Sequence, residues 1–255
     1  MKRFAVVALL AVLPLILSAS GTTFSQEAGP LSGKVIALDA GHGGTELGAT
    51  YPANVGAAAD VYEKDVNLAV VYELRERLEG AGADVVLTRE GDETITSRRE
   101  RVNIAIEKCK QQSGRKCDAL VSVHHNGSID PSYDGLLVIY NEKQDFPLAT
   151  AVHDALLSGL AYPPSSDTYR FVDEGFKNGG YGITVYGRLV SVLTEAYYIT
   201  NAWEAEQYLS GTGDRIDEEA TALYIGLVDY FAAKDGDGGS DTCPLGKQKQ
   251  GKCQP

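Results

Sequence analysis

The chain has 255 residues, 44% of them hydrophobic, and carries 35 acidic against 23 basic side chains for a formal charge of −12. That is enough for one domain with a sizeable core. So acidic a surface argues against nucleic acid and against simple attraction to an anionic wall polymer or membrane.

Lys2 and Arg3 precede the apolar run Phe4–Leu17, and small residues follow at Ser18, Ala19, Ser20 and Gly21. This is the layout of a signal peptide, expected over residues 1–26 with cleavage between Ala19 and Gln26. Its removal takes away two basic side chains and no acidic ones, so the charge of −12 becomes −14. No cysteine follows the run to carry a lipid, Pro14 interrupts it, and no other stretch approaches the length that spans a membrane. The expectation is a protein exported to the periplasm, wall or medium, with no membrane association after cleavage. Residues 27–33 read as a polar linker, 34–234 as the main domain and 235–255 as a tail.

Within the domain, Val35–Leu38 is a continuous apolar run and reads as a buried strand. Gly41–Ala59, rich in Gly and Ala without periodicity, reads as a loop. Val66, Val70, Leu74 and Leu78 recur every four residues, so a helix is predicted over 65–79, ended by Gly80 and Gly82. A strand at Asp84–Thr88 and a helix over 97–110 follow. Ala119–Val123 and Leu136–Tyr140 are further strands. Phe146–Leu160 is helical by its spacing, and Ala161–Gly182 reads as mostly loop. Leu189–Thr194 is the next strand, and Trp203–Leu209 and Arg215–Lys234 are helices. Strands alternating with helices predict a single α/β domain with a twisted, mostly parallel sheet of about six strands and helices on both faces.

Cys109 and Cys117 lie close together, as do Cys243 and Cys253, both pairs in polar, loop-like sequence. An even count in an exported chain predicts two local disulfides. No CxxC spacing supports zinc on these thiols.

The chemistry concentrates in the histidines. Three of the four fall in KVIALDAGHGG (34–44) and DALVSVHHNG (118–127), each closing a predicted strand. Glu63 opens the first helix, and Glu195 closes the apolar run after Leu189. A catalytic zinc site needs three nitrogen or oxygen ligands and an open position. His42 and His124 emerge together at the carboxyl edge of the sheet if their strands are parallel neighbours. Glu63 can swing to that edge, and Glu195 suits the carboxylate that takes a proton from water. Taken singly, each residue has an ordinary explanation: a histidine after a strand commonly caps it, and a glutamate at a helix start gains ~0.3–1 kcal/mol from the dipole. His153, mid-helix, reads as structural. His125 points away from His124 if the strand continues, and reads as a supporting or surface residue. The chain has no Walker lysine, G-x-S-x-G elbow, HExxH or HxxEH motif.

The segments DAGHGG, EKDVNLAV, LTREGDETITSRRERV, SVHHNG and VLTEAYYITN, in this order, resemble the signatures of the zinc-dependent N-acetylmuramoyl-L-alanine amidases of the amidase-3 type, from about residue 34 to 234. The resemblance implies His42, Glu63 and His124 as ligands of one zinc ion and Glu195 as the catalytic carboxylate. It implies hydrolysis of the amide between the lactyl group of muramic acid and L-alanine of the stem peptide, in peptidoglycan or muropeptides, by what is expected to be a monomer. A zinc peptidase on wall peptides and a non-catalytic wall binder are the alternatives. The chain departs from the family in His125 (usually Ala), in Ala-Tyr-Tyr after Glu195 (more often Val-Gly-Phe) and in Tyr186-Gly187 (a common Leu-Arg). The segment 141–188 is too short for the inhibitory helix of some relatives, so an open site is expected. Its rim is placed at 43–59, 133–135 and 171–187, whose Tyr, Asn and Asp residues suit a stem peptide better than a glycan.

Overall fold

The computed structural model describes residues 28–161, 170–180, 182–206 and 214–236. The predicted signal peptide and the Cys243–Cys253 pair therefore lie outside the described residues, as do residues 207–209 of the predicted 203–209 helix, whose first residues are helical.

Eight strands and four α-helices are placed among the described residues: β1 (Val35–Ala40), β2 (Thr50–Tyr51), β3 (Val61–Tyr62), α1 (Glu63–Gly80), β4 (Asp84–Leu87), α2 (Arg98–Ser113), β5 (Ala119–Asn126), β6 (Tyr133–Tyr140), α3 (Phe146–Leu160), β7 (Arg170–Asn178), β8 (Ser191–Tyr198) and α4 (Asp214–Asp235). Six strands form one sheet in the order β4-β1-β5-β8-β6-β7. β4, β1, β5 and β8 run parallel, while β6 is antiparallel to β8 and parallel to β7. β2, inside the segment 41–59 read as loop, pairs antiparallel with β3 just after it.

The alternation of side chains along the central strands decides what each face holds. Ile36, Leu38 and Ala40 of β1 and Val121 and Val123 of β5 face one side, where they pack with α1, α3 and α4. Val35, Ala37 and Leu120 face the other side, covered by α2, Ile183 and Leu189. The first face is sealed by three helices. The second has one long helix, and room for a groove remains beside its N-terminus. Leu31, in the segment read as a linker, is fully buried in the three-helix side, and its N–H donates to Ala81 O at 3.0 Å.

Within the segment 161–182, read as mostly loop, Arg170–Asn178 instead form β7 at the sheet edge. Boundaries also move. β5 continues through His124 and His125 to Asn126, and β8 continues past Glu195 to Tyr198. Both site residues thus sit inside strands, where the pleat fixes their direction.

Cys109 and Cys117 form the predicted disulfide, with Cα atoms 5.5 Å apart, tying the end of α2 to the entry of β5. Both residues belong to the α2-side core. Closing so short a loop stabilises by about 2–3 kcal/mol in the chain-entropy model. Cys109→Ser/Cys117→Ser is expected to lower the urea unfolding free energy by at least that much. A drop below about 1 kcal/mol would show the unfolded chain to be little constrained by the bond.

Candidate metal centre and groove

β1 ends in Asp39-Ala40, and the chain turns at Gly41 into His42, which adopts φ +58°. That left-handed conformation is costly for a residue with a β-carbon, so its surroundings must hold it. The Arg101 guanidinium donates to Ala40 O at 2.8 Å and to His42 O at 2.6 Å, and pairs with the buried Asp39 carboxylate at 3.0 Å. Arg89 adds hydrogen bonds to Ala40 O at 2.9 Å and Gly41 O at 3.0 Å. Gly41 is required by close approach, because a β-carbon there would overlap the His124 ring.

Three side chains converge at this edge. Glu63 Oε2 lies 3.1 Å from His42 Nε2, and Glu63 Oε1 lies 3.0 Å from His124 Nδ1. Ligand atoms of all three lie within 4.8 Å of one another. Two zinc ligands at bond lengths of about 2.0–2.1 Å and a tetrahedral angle are separated by roughly 3.4 Å, so this set has the right spacing and the right donor chemistry. Glu63 is locked from behind by N–H donors: Ala49 N at 2.8 Å to Oε2, and His125 N at 3.0 Å and Asn67 Nδ2 at 3.3 Å to Oε1. Burial alone would push the Glu63 carboxyl up. Hydrogen bonds to His124 and His42, and the charge those rings can carry, outweigh it and hold Glu63 well below the usual range.

Glu195 is paired in register with His124 on the adjacent strand. Leu193 packs on the α2 side, so the alternation of β8 brings Glu195 to the same face. Its Oε2 is buried without a hydrogen-bond partner among the described residues. Burial first, then the negative charges of Glu63 and Glu174, push its carboxyl well above the ordinary value. Buried polar atoms are ordinarily paired, so a partnerless carboxylate oxygen beside three converging donors is an exception that a packing role does not explain.

The same alternation sends His125 to the opposite face, where it is buried. Its Nδ1 donates to Asn67 Oδ1 at 2.7 Å, because the Asn67 amide nitrogen is already directed at Gly41 O and Glu63 Oε1. Its Nε2 lies 2.7 Å from Glu219 Oε2 of α4. His125 is therefore not a surface residue: it connects α4, through Asn67, to Glu63. His153 Nε2 lies 2.8 Å from Asp173 Oδ1 on β7, so it ties α3 to the sheet edge.

A groove of about 1020 Å³ runs from these residues along the α2 face. Glu46, Gly48, Ala49, Gly182, Ile183 and Tyr186 line it, from two of the three rim segments expected. Tyr133–Gly135 do not; their place is taken by Ile95–Arg99 and Arg101, which the sequence reading did not consider.

A family model described as N-acetylmuramoyl-L-alanine amidase matches residues 36–223. The chain belongs to the N-acetylmuramoyl-L-alanine amidase family. Its family relatives include the amidase LytC of Bacillus subtilis, 29% identical over 202 residues, of which the match covers 79% of this chain and 36% of LytC. The germination-specific amidase of the same organism is 29% identical over 217 residues, covering 80% of this chain and 83% of the relative. Among solved amidase structures, AmiC2 of Nostoc punctiforme superposes with a TM-score of 0.62 at 28% identity, over 80% of this chain and 98% of that one. As an amidase-family fold, the mostly parallel sheet places its donor cluster at the carboxyl edge of the central strands.

Proposed function

We propose that this chain is an exported zinc amidase that hydrolyses the amide joining the lactyl group of N-acetylmuramic acid to L-alanine of the peptidoglycan stem peptide. The observation that carries this reading is the meeting, in one groove of a family member, of His42, Glu63 and His124 with the partnerless Glu195. His42 Nε2, a Glu63 oxygen and His124 Nδ1 are the atoms that would hold one zinc ion. When bound, zinc supplies Lewis-acid polarisation of the scissile carbonyl and promotes ionisation of water. Glu195 takes the proton from the attacking water and delivers it to the departing alanine nitrogen, so one carboxylate serves both halves of the reaction. Relatives named as cell wall amidases, such as LytH of Staphylococcus aureus, support a place at the wall. Among the described residues no helix is long and apolar enough to cross a membrane.

Mass spectrometry of a purified muramoyl-peptide digest tests the reading. The expected products are a peptide with a free L-alanine amino group and an intact sugar acid. Cleavage within the peptide would favour the peptidase alternative. A chelator is expected to abolish turnover and added zinc to restore it, and full activity in a verified metal-free sample would exclude the metal.

A further inference from the structure

The sealed side of the sheet holds a chain of buried polar side chains that the bond changes do not use. Glu219 on α4, His125 on β5 and Asn67 on α1 are all buried. They join end to end. Glu219 Oε2 lies 2.7 Å from His125 Nε2, and His125 Nδ1 donates to Asn67 Oδ1 at 2.7 Å. Asn67 Nδ2 then donates to Gly41 O at 3.2 Å and to Glu63 Oε1 at 3.3 Å. His125 also reaches Glu63 through its own backbone N–H, 3.0 Å from Oε1. Both ring nitrogens are engaged, and the Tyr197 ring lies against the imidazole at 4.3 Å between centroids. The ring cannot turn without losing two hydrogen bonds.

Packing alone does not account for this chain. Leu223 and Leu227, one and two turns beyond Glu219 on α4, dock the helix on the same core with apolar side chains. Glu219, by contrast, keeps its Oε1 buried without a hydrogen-bond partner among the described residues. A partly satisfied buried polar network is less stable than an apolar core of the same volume. What the polar chain supplies lies at its other end. An asparagine amide can sit either way round, and with Oδ1 taken by His125 its nitrogen is directed at Glu63 and Gly41. Glu63 contacts both His42 and His124, so the aim of its carboxylate sets the spacing of the donor cluster. Hydrogen bonds behind a ligand hold it in its binding orientation and thereby set metal affinity.

We propose that His125 and Glu219 are positioning residues for the metal centre: through Asn67 they fix the Glu63 carboxylate in the direction that binds zinc, so that α4 sets zinc affinity from the far face of the sheet. This rests on the reading of His42, Glu63 and His124 as the zinc ligands. Both residues act through Asn67 and Glu63 and perform none of the bond changes.

Zinc affinity, measured by competition with a chelator of known strength, tests this together with the visible spectrum of cobalt(II) bound in place of zinc, which reports ligand geometry. Losing a partner behind a ligand weakens metal binding by about 10–100-fold, and His125→Ala is expected to fall in that range with a shifted cobalt spectrum. Glu219→Ala, one bond further from Glu63, should lose less, and it carries the same test if His125→Ala does not fold. Glu219→Gln still offers an oxygen to His125 Nε2 and should keep most of the wild-type affinity. The double variant His125→Ala/Glu219→Ala should lose no more than His125→Ala, because both act through one chain. Leu223→Ala, a cavity one turn along α4, should lower the urea midpoint and leave zinc affinity and the cobalt spectrum unchanged. Wild-type affinity and spectrum in folded His125→Ala or Glu219→Ala, or an equal loss in Leu223→Ala, would overturn the positioning role and leave the zinc reading standing. Failure of the wild type to bind one zinc per chain would overturn both.

Discussion

Glu195→Gln is expected to lower kcat by about 10²–10⁴-fold, the usual loss when a positioned general base is removed, while zinc uptake stays at one per chain. The separation of the two readouts follows from the geometry. Glu63, not Glu195, contacts both His42 and His124, and none of the N–H groups that hold Glu63 comes from β8. Glutamine keeps the shape of the side chain but accepts no proton. It also removes a buried acid that burial and the charge of Glu63 already disfavour as the anion. The variant should therefore be no less stable than the wild type, which separates a catalytic loss from misfolding. Turnover would be followed on a muramoyl-peptide, zinc by elemental analysis and stability by urea titration. Near-normal turnover would remove Glu195 from its role, and loss of zinc would make it a ligand instead.

The parts of this site that were legible in the sequence are those where burial forces the pattern. β1 and β5 are central strands covered on both faces, so their apolar runs are continuous and the histidines that interrupt them stand out. α1 lies against the sheet, so Val66, Val70, Leu74 and Leu78 recur at helical spacing. β7 escaped because it is an edge strand: RFVDEGFKN alternates polar and apolar residues only loosely, and Asp173, Phe176, Lys177 and Asn178 are exposed. The burial of His125 could not be read locally, since its partner Glu219 lies 94 residues away. The α2 wall left no comparable signal: Ile95–Arg99 and Arg101 enter the groove from a helix start and the residues just before it, not from one of the Gly-rich loops that mark a rim in sequence.

Arg101→Met is expected to destabilise the protein by about 3–5 kcal/mol, the range for breaking a buried ion pair by removing one partner. Asp39 is fully buried beneath the site and would keep only Thr88 and Ser122 as donors, at 2.5 and 2.7 Å. Burial alone would push the Asp39 carboxyl up. The Arg101 charge beside it and the hydrogen bonds from Ser122 and Thr88 outweigh that and hold it below its ordinary value. A carboxyl lower in the folded than in the unfolded chain stabilises above its unfolded pKa of about 3.9, and that contribution is lost as pH falls through the folded value. The wild-type urea midpoint should accordingly decline on acidification below about pH 4, and Arg101→Met should weaken this part of the decline because its main source is gone. The same guanidinium holds Ala40 O and His42 O, so the variant also loosens the turn that keeps His42 at positive φ. Weaker zinc binding by competition with a chelator is expected alongside the stability loss. Arg101→Lys should recover the charge but not all three contacts, and fall between the two. A loss under 1 kcal/mol with unchanged zinc affinity would show that the turn at His42 is held by Arg89 and the strand ladder instead.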